Sequence, residues 1–246
     1  NRIEMEQLKE YHRSARKTVL AHQHSFGAAL EQLEKRLEQF NPKFEEFDIL
    51  TTEGNYLQAR EIVLSLNAEA QHIFDLLSDI PSLLSEVQTK IPTAIHDLRN
   101  GQREMEEQNY YLRHLELTEA LDNIEKELEQ LKECIAKLEI DKVKPRIDEI
   151  NNEIDRFYDL LEKEVMAKKY VDIHCSPLRE NLHKLMVLTR EINDEATYVQ
   201  HSYRLSDKEA EIPRNCLKQL EILHKRYELL AMRVTEEKSA YSSLKE

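Results

Sequence analysis

Glycine is nearly absent from this chain, with three residues in 246 at Gly27, Gly54 and Gly101. A loop that cradles phosphate needs several glycines together, so a Gly-rich nucleotide loop is excluded. Tryptophan does not occur and proline occurs six times. No apolar run approaches the ~20 residues a membrane span requires. The three cysteines, Cys134, Cys175 and Cys216, lie about forty residues apart without a CxxC pair. Neither a disulfide framework nor a zinc site is suggested, and a reducing cytoplasm is the simplest expectation. A basic block is missing as well. The net charge is −13, and Lys142/Lys144/Arg146 and Lys168/Lys169 sit among carboxylates as solvated helix faces. Nucleic acid is therefore not an expected partner, since phosphate binding needs clustered Lys and Arg.

What the chain does have is charge and heptads. Asp, Glu, Lys and Arg make up 34% of it, a composition that suits long helices. Leu117, Leu121, Ile124, Leu128, Leu131, Ile135 and Leu138 alternate by four and three. So do Ala59, Val63, Leu66, Ala70, Ile73, Leu77, Ile80, Leu84, Val87 and Ile91. Met5, Leu8, His12, Ala15, Val19, His22, Phe26, Ala29 and Leu33 keep the step, with His12 and His22 read as polar interruptions that fix register. A last run goes from Cys216 through Leu220, Leu223, Tyr227, Leu230, Val234, Glu237 and Tyr241 to Leu244. A 3.5-residue repeat marks helices wound on one another. Apolar flanks such as Ile62 and Leu76 widen the stripe and favour bundles of three or more helices.

The breaks are few. Phe40-Asn41-Pro42 is expected to end the first helix, and Thr51-Thr52-Glu53-Gly54-Asn55 to stop and restart the chain. Residues 141–145 separate two heptad runs, with Pro145 suited to a first helical turn. Ser206-Asp207 and Ile212-Pro213 mark another weak point, and a helix could restart at Ser176-Pro177. Pro81 and Pro92 differ because the heptad phase runs through both, which predicts kinks within one long helix. An internal repeat is also present: Leu66-Asn67-x-Glu69 with Ile73-Phe74-Asp75-Leu76-Leu77 returns 84 residues later as Ile150-Asn151-x-Glu153 with Phe157-Tyr158-Asp159-Leu160-Leu161. The unit is one short helix (1–40, then 117–138, with 207–246 as a third) followed by one long helix.

The expected fold class is all-α, an elongated rod of spectrin-like antiparallel three-helix bundle repeats that share long helices. Residues 1–116 and 117–246 are expected to form a first and a second part, with helices shared across the boundary. In solution the radius of gyration should lie far above the ~18 Å of a compact chain of this length. A scattering measurement near that value would contradict the rod.

Candidate sites are weak. Glu69/His72, Glu180/His183 and Glu221/His224 match the Glu-x-x-His pairs of di-metal carboxylate bundles. Ten histidines among so many acids give about as many pairs by accident, so the di-metal enzyme is only a remote alternative. His22 and His24 point to different sides of a helix. His174-Cys175 lacks the third group and the pocket a nucleophile pair needs. The ten tyrosines, Tyr11, Tyr56, Tyr110, Tyr111, Tyr158, Tyr170, Tyr198, Tyr203, Tyr227 and Tyr241, lack interleaved cations and suit bundle edges with the hydroxyl in water. No catalytic, cofactor or metal residue is assigned, and no partner-binding residue is either.

Residues 54–115 carry a more specific signal. Gly54-Asn55-Tyr56-x-x-Ala59-Arg60, Asp79-Ile80-Pro81-x-Leu83-Leu84, Ile91-Pro92 and Asp97-Leu98-Arg99-x-Gly101-x-x-Glu104-Met105, with Tyr111, His114 and Leu115 beyond, resemble the bacterial septation ring formation regulator family, EzrA. Asp159-Leu160-Leu161-Glu162-x-Glu164-Val165 with Ala167-Lys168 is similar to that family's next repeat, and the resemblance covers essentially all the residues. It implies a non-enzymatic, membrane-anchored cell-division scaffold with a cytoplasmic array of spectrin-like repeats, placed at the cytoplasmic face of the membrane at the septum. Its implied partners are the tubulin-like protein FtsZ, whose ring assembly it restrains, and other division or cell-wall synthesis proteins, with homo-oligomerisation left open. The chain opens at Asn1 in mid-pattern and lacks the family's membrane helix and C-terminal Gln-Asn-Arg-type patch, so it is expected to be a middle portion of a longer protein. No functional residue of the family transfers to a position here. The alternative is a coiled-coil tether or spacer without direct FtsZ contact.

Overall fold

A computed structural model describes residues 2–202, 206–235 and 239–245. Among them the chain is helical throughout, without a strand. The helices are α1 (Arg2–Ala21), α2 (Gln23–Phe26), α3 (Leu30–Glu38), α4 (Phe40–Thr52), α5 (Tyr56–Ser85), α6 (Ile91–Glu107), α7 (Leu117–Ala136), α8 (Ile140–Ser202), α9 (Asp207–Thr235) and α10 (Tyr241–Lys245). Two compact units are present, residues 1–98 with 118–155, and residues 99–117 with 156–246.

In the first unit α1 packs on α3 and α5, and α4 packs on α5. The core is the seam of the heptads. Met5, Leu8, His12, Ala15 and Val19 of α1 are buried, as are Leu33, Leu37, Phe40, Phe44 and Phe47 of α3 and α4. Every seam residue of α7, from Leu117 to Ile135, is buried, and so is Leu138 just beyond it. Two polar ties hold α8 in place. Arg146 grips Glu127 of α7 through two guanidinium nitrogens, one of them at 2.7 Å, a fork geometry that fixes orientation as well as charge. Lys144 donates to Asp79 of α5.

Three reversals share one local device, with a left-handed residue closing the helix and a six-to-one hydrogen bond behind it. Asn55 N–H donates to Leu50 at 2.8 Å, Tyr110 N–H to Met105 at 3.0 Å and Glu139 N–H to Cys134 at 2.9 Å. The left-handed residues are Gly54 (φ 80°), Asn109 (φ 67°) and Leu138 (φ 63°). Gly and Asn adopt that conformation readily, whereas Leu is strained in it. Leu138 accepts the strain because its side chain closes the apolar seam.

Several expected breaks are corrected. Phe40-Asn41-Pro42 does not end the first helix. The chain reverses earlier, at 22–29, where Gly27 takes φ 53°, and α4 carries on from Phe40 through Pro42 to Thr52. His22 consequently lies exposed at the reversal rather than on the seam. The helix after the third reversal begins at Ile140, so Pro145 falls inside it. α8 also runs unbroken through Ser176-Pro177, and Pro213 lies inside α9. Pro81 and Pro92 behave as expected. Pro81 is inside α5, and the turn of Glu86–Lys90 widens to i→i+5 bonding just before Pro92, which has no N–H to offer the preceding turn. The start of α9 is set by Ser206-Asp207-Lys208-Glu209. Ser206 N–H and Oγ–H donate to the Glu209 carboxylate at 3.2 and 2.8 Å, and Glu209 N–H donates back to Ser206 Oγ at 3.4 Å, a reciprocal capping box.

Candidate functional site

Four of the residues singled out as metal or nucleophile candidates, Glu69, His224, His174 and Cys175, are engaged in structural contacts. Glu69 pairs with Arg36 at 3.6 Å, and His224 Nε2 lies 3.0 Å from Glu228 rather than from Glu221. Among the described residues no group of three or more His, Cys, Asp or Glu could hold a metal ion. His174 packs its ring on Tyr170 with centroids 4.2 Å apart. Burial, then the Asp172 carboxylate, pushes the Cys175 thiol above its ordinary value, the reverse of what activates a nucleophile. The Cys175 carbonyl accepts the Tyr227 hydroxyl at 3.1 Å.

His12 is 5% exposed, lies against Phe40 and Phe44 with centroids 5.3 and 5.5 Å away, and donates from Nε2 to the Leu37 carbonyl at 2.7 Å. A carbonyl only accepts, so Nε2 carries the proton. Burial lowers the His12 pKa, with Arg16 adding to the effect against the opposing bond to Leu37. The unfolded chain therefore takes up a proton more readily than the folded one. Stability linked to His12 is full above the unfolded value near 6.5 and falls as pH drops from there towards the folded value. Melting between pH 7.5 and 5 should show a steeper loss for the native sequence than for His12→Gln; parallel curves would contradict it.

In the second unit the notable site is polar and buried. Glu164 on α8 is 2% exposed. Its carboxylate accepts the Ser242 N–H at 3.2 Å and the Ser242 hydroxyl, and lies 3.4 Å from His114 Nε2. Beside it Tyr110 and Tyr241 meet edge to face at 5.3 Å, and Lys168 lies over both rings at 5.4 and 5.9 Å. These two tyrosines are buried, unlike the edge positions expected of them. Burial raises both phenols, Tyr241 and then Asp172 and Glu164 adding to the effect at Tyr110, and Asp172 at Tyr241. A serine, a histidine and a carboxylate thus meet, but the carboxylate is the hub. The serine proton is directed to Glu164 and not to imidazole, so the three groups are not ordered as a nucleophile–imidazole–carboxylate relay.

The hairpin of α8 and α9 departs most from expectation. Cys216, Leu220, Leu223, Tyr227, Leu230 and Val234 were expected on a closed seam. Cys216 is exposed, Leu223 is 49% exposed and the other four are only partly covered, while Glu237 lies outside the described residues. Leu178, Leu185, Leu188 and Ile192 of α8 and Ile222 and Leu229 of α9 are also half or more exposed. A cavity of about 230 Å³ opens between the two helices, lined by Leu178, Leu182, Leu223, Arg226, Tyr227 and Leu230. Its walls offer apolar contact and no convergent polar group for chemistry. Tyr56 and Tyr198 are well exposed, and Tyr203 lies outside the described residues.

The family profile described as "Septation ring formation regulator, EzrA" matches residues 1–246. The chain belongs to the EzrA family. It is 42% identical over 246 residues to the septation ring formation regulator EzrA of Geobacillus sp. (strain WCH70), covering 100% of this chain and 43% of that protein. Identity is 41% over 241 residues to the EzrA of Geobacillus kaustophilus, covering 98% and 42%. To the EzrA of Staphylococcus epidermidis it is 28% over 241 residues, covering 98% and 43%. The chain therefore spans under half the length of the curated EzrA relatives it matches. No solved structure matches it significantly. Among the described residues no helix is long and apolar enough to cross a membrane.

Proposed function

We propose that this chain is a non-enzymatic scaffold of cell division that binds FtsZ and restrains assembly of the septation ring. The observation that carries the reading is the match of the EzrA family along every residue of the chain. The geometry is in keeping with a binding role: heptad seams, structural ion pairs and a cavity walled by leucines. In the longer protein a membrane-spanning helix outside these residues would hold the scaffold at the inner face of the membrane. Other division and cell-wall synthesis proteins, and a second copy of the chain, are further partners within the same reading. The other reading, a tether or spacer without direct FtsZ contact, is favoured by the share of the relatives' length that lies outside this chain. Light scattering of assembling FtsZ separates the two. Added chain should lower the plateau or delay the rise, whereas an unchanged trace would leave the spacer reading.

A further inference from the structure

We propose that Glu164 is a polar latch that sets where α10 seats, by joining α10 and the 108–116 loop to one point on α8. The internal repeat gives the first reason. The residue 84 positions before Glu164 is Ile80, which is fully buried in the seam of α5. Val63, Leu66, Ala70 and Ile73 of the first copy correspond to Ile147, Ile150, Ile154 and Phe157 of the second, and all eight are buried. The second copy therefore keeps an apolar core residue at each of these four positions, whereas at 164 it carries a carboxylate.

A buried carboxylate is costly unless its oxygens are bonded. Here both oxygens are bonded by Ser242 on α10, and the imidazole of His114 in the loop lies 3.4 Å from one of them. Apolar packing tolerates sliding by a turn, but a charged acceptor with a fixed pair of donors does not. Ser242 N–H belongs to the first turn of α10, where no carbonyl of its own helix is available, so Glu164 does for this turn what a capping side chain does. Tyr241, next to Ser242 in sequence, and Tyr110, four residues before His114, pack together under Lys168. The loop and α10 are thus bound to each other as well as to α8.

The test separates specification from overall stability. Glu164→Ile restores the apolar residue of the first copy, so the melting temperature should be no lower than that of the native chain. Amide hydrogen exchange at 110–116 and 241–245 should nevertheless become about tenfold faster or more, the factor for losing one charged hydrogen bond. Glu164→Gln keeps an acceptor for Ser242 N–H and should give a smaller increase. Should Glu164→Ile aggregate, His114→Ala with Ser242→Ala, both at partly exposed positions, must speed exchange at 241–245 and leave residues 1–98 protected as before. Unchanged exchange in either variant overturns the latch. So does a fall in melting temperature for Glu164→Ile that matches the gain in exchange, because the carboxylate would then serve general stability.

Discussion

Leu128→Asp is expected to lower the melting temperature by roughly 10 °C, the shift for a loss on the order of 4 kcal/mol in a chain of this size. Leu128 is 3% exposed at the middle of the α7 seam, with Leu121, Ile124, Leu131 and Ile135 buried on either side. An aspartate there would bury a carboxylate within an apolar seam. The guanidinium of Arg146, which ties α8 to α7, is already held by Glu127 and Glu149. Helix propensity contributes little by comparison, since Leu and Asp differ by well under about 1 kcal/mol. Circular dichroism at the helix band, followed through heating, checks the result, and a shift below about 2 °C would show that the α7 seam does not carry the core.

Phe40→Ala should cost nearly as much, about 3–5 kcal/mol for removing a fully buried aromatic ring. Phe40 is 1% exposed and packs on His12 and Phe44, with ring centroids 5.3 and 5.9 Å away. It stands where the sequence reading placed the end of the first helix, a position at which a Phe→Ala change would be mild. The two accounts thus differ severalfold in the expected loss. Urea unfolding read by tyrosine fluorescence measures it, and a loss under about 1 kcal/mol would return Phe40 to a helix end.

The seams were legible wherever both walls lie within this chain. The α7 heptad sits in the core as its spacing required, and so does the Ala59–Ile91 run except at one step, where Leu76, read as a flank, is buried and Leu77 only half-buried. Reversals were less legible. At 22–29 the heptad phase continues from Val19 through Phe26 to Leu33, since α1 and α3 face the same core after the turn. Gly27, in a conformation that side chains resist, was the available signal. The α9 seam has the right spacing, yet much of it stays open, because spacing records which face is apolar and not whether a neighbour covers it.

The polar latch was invisible for a different reason. Glu162-Lys163-Glu164 reads as any solvated helix face, and only the match of Glu164 to Ile80 across the repeat singles it out. Ser206 through Glu209 could be read as a capping box from the sequence, and the structure bonds it as one.

Binding to FtsZ is the claim on which the functional account rests, and cosedimentation with polymerising FtsZ at graded salt tests it most directly. A chain of net charge −13 that meets its partner through side-chain charge should bind with marked salt dependence, because screening grows with ionic strength. The account predicts that the chain pellets with FtsZ polymers at low salt and that the pelleted share falls as salt is raised. Absence from the pellet at every salt concentration would contradict it.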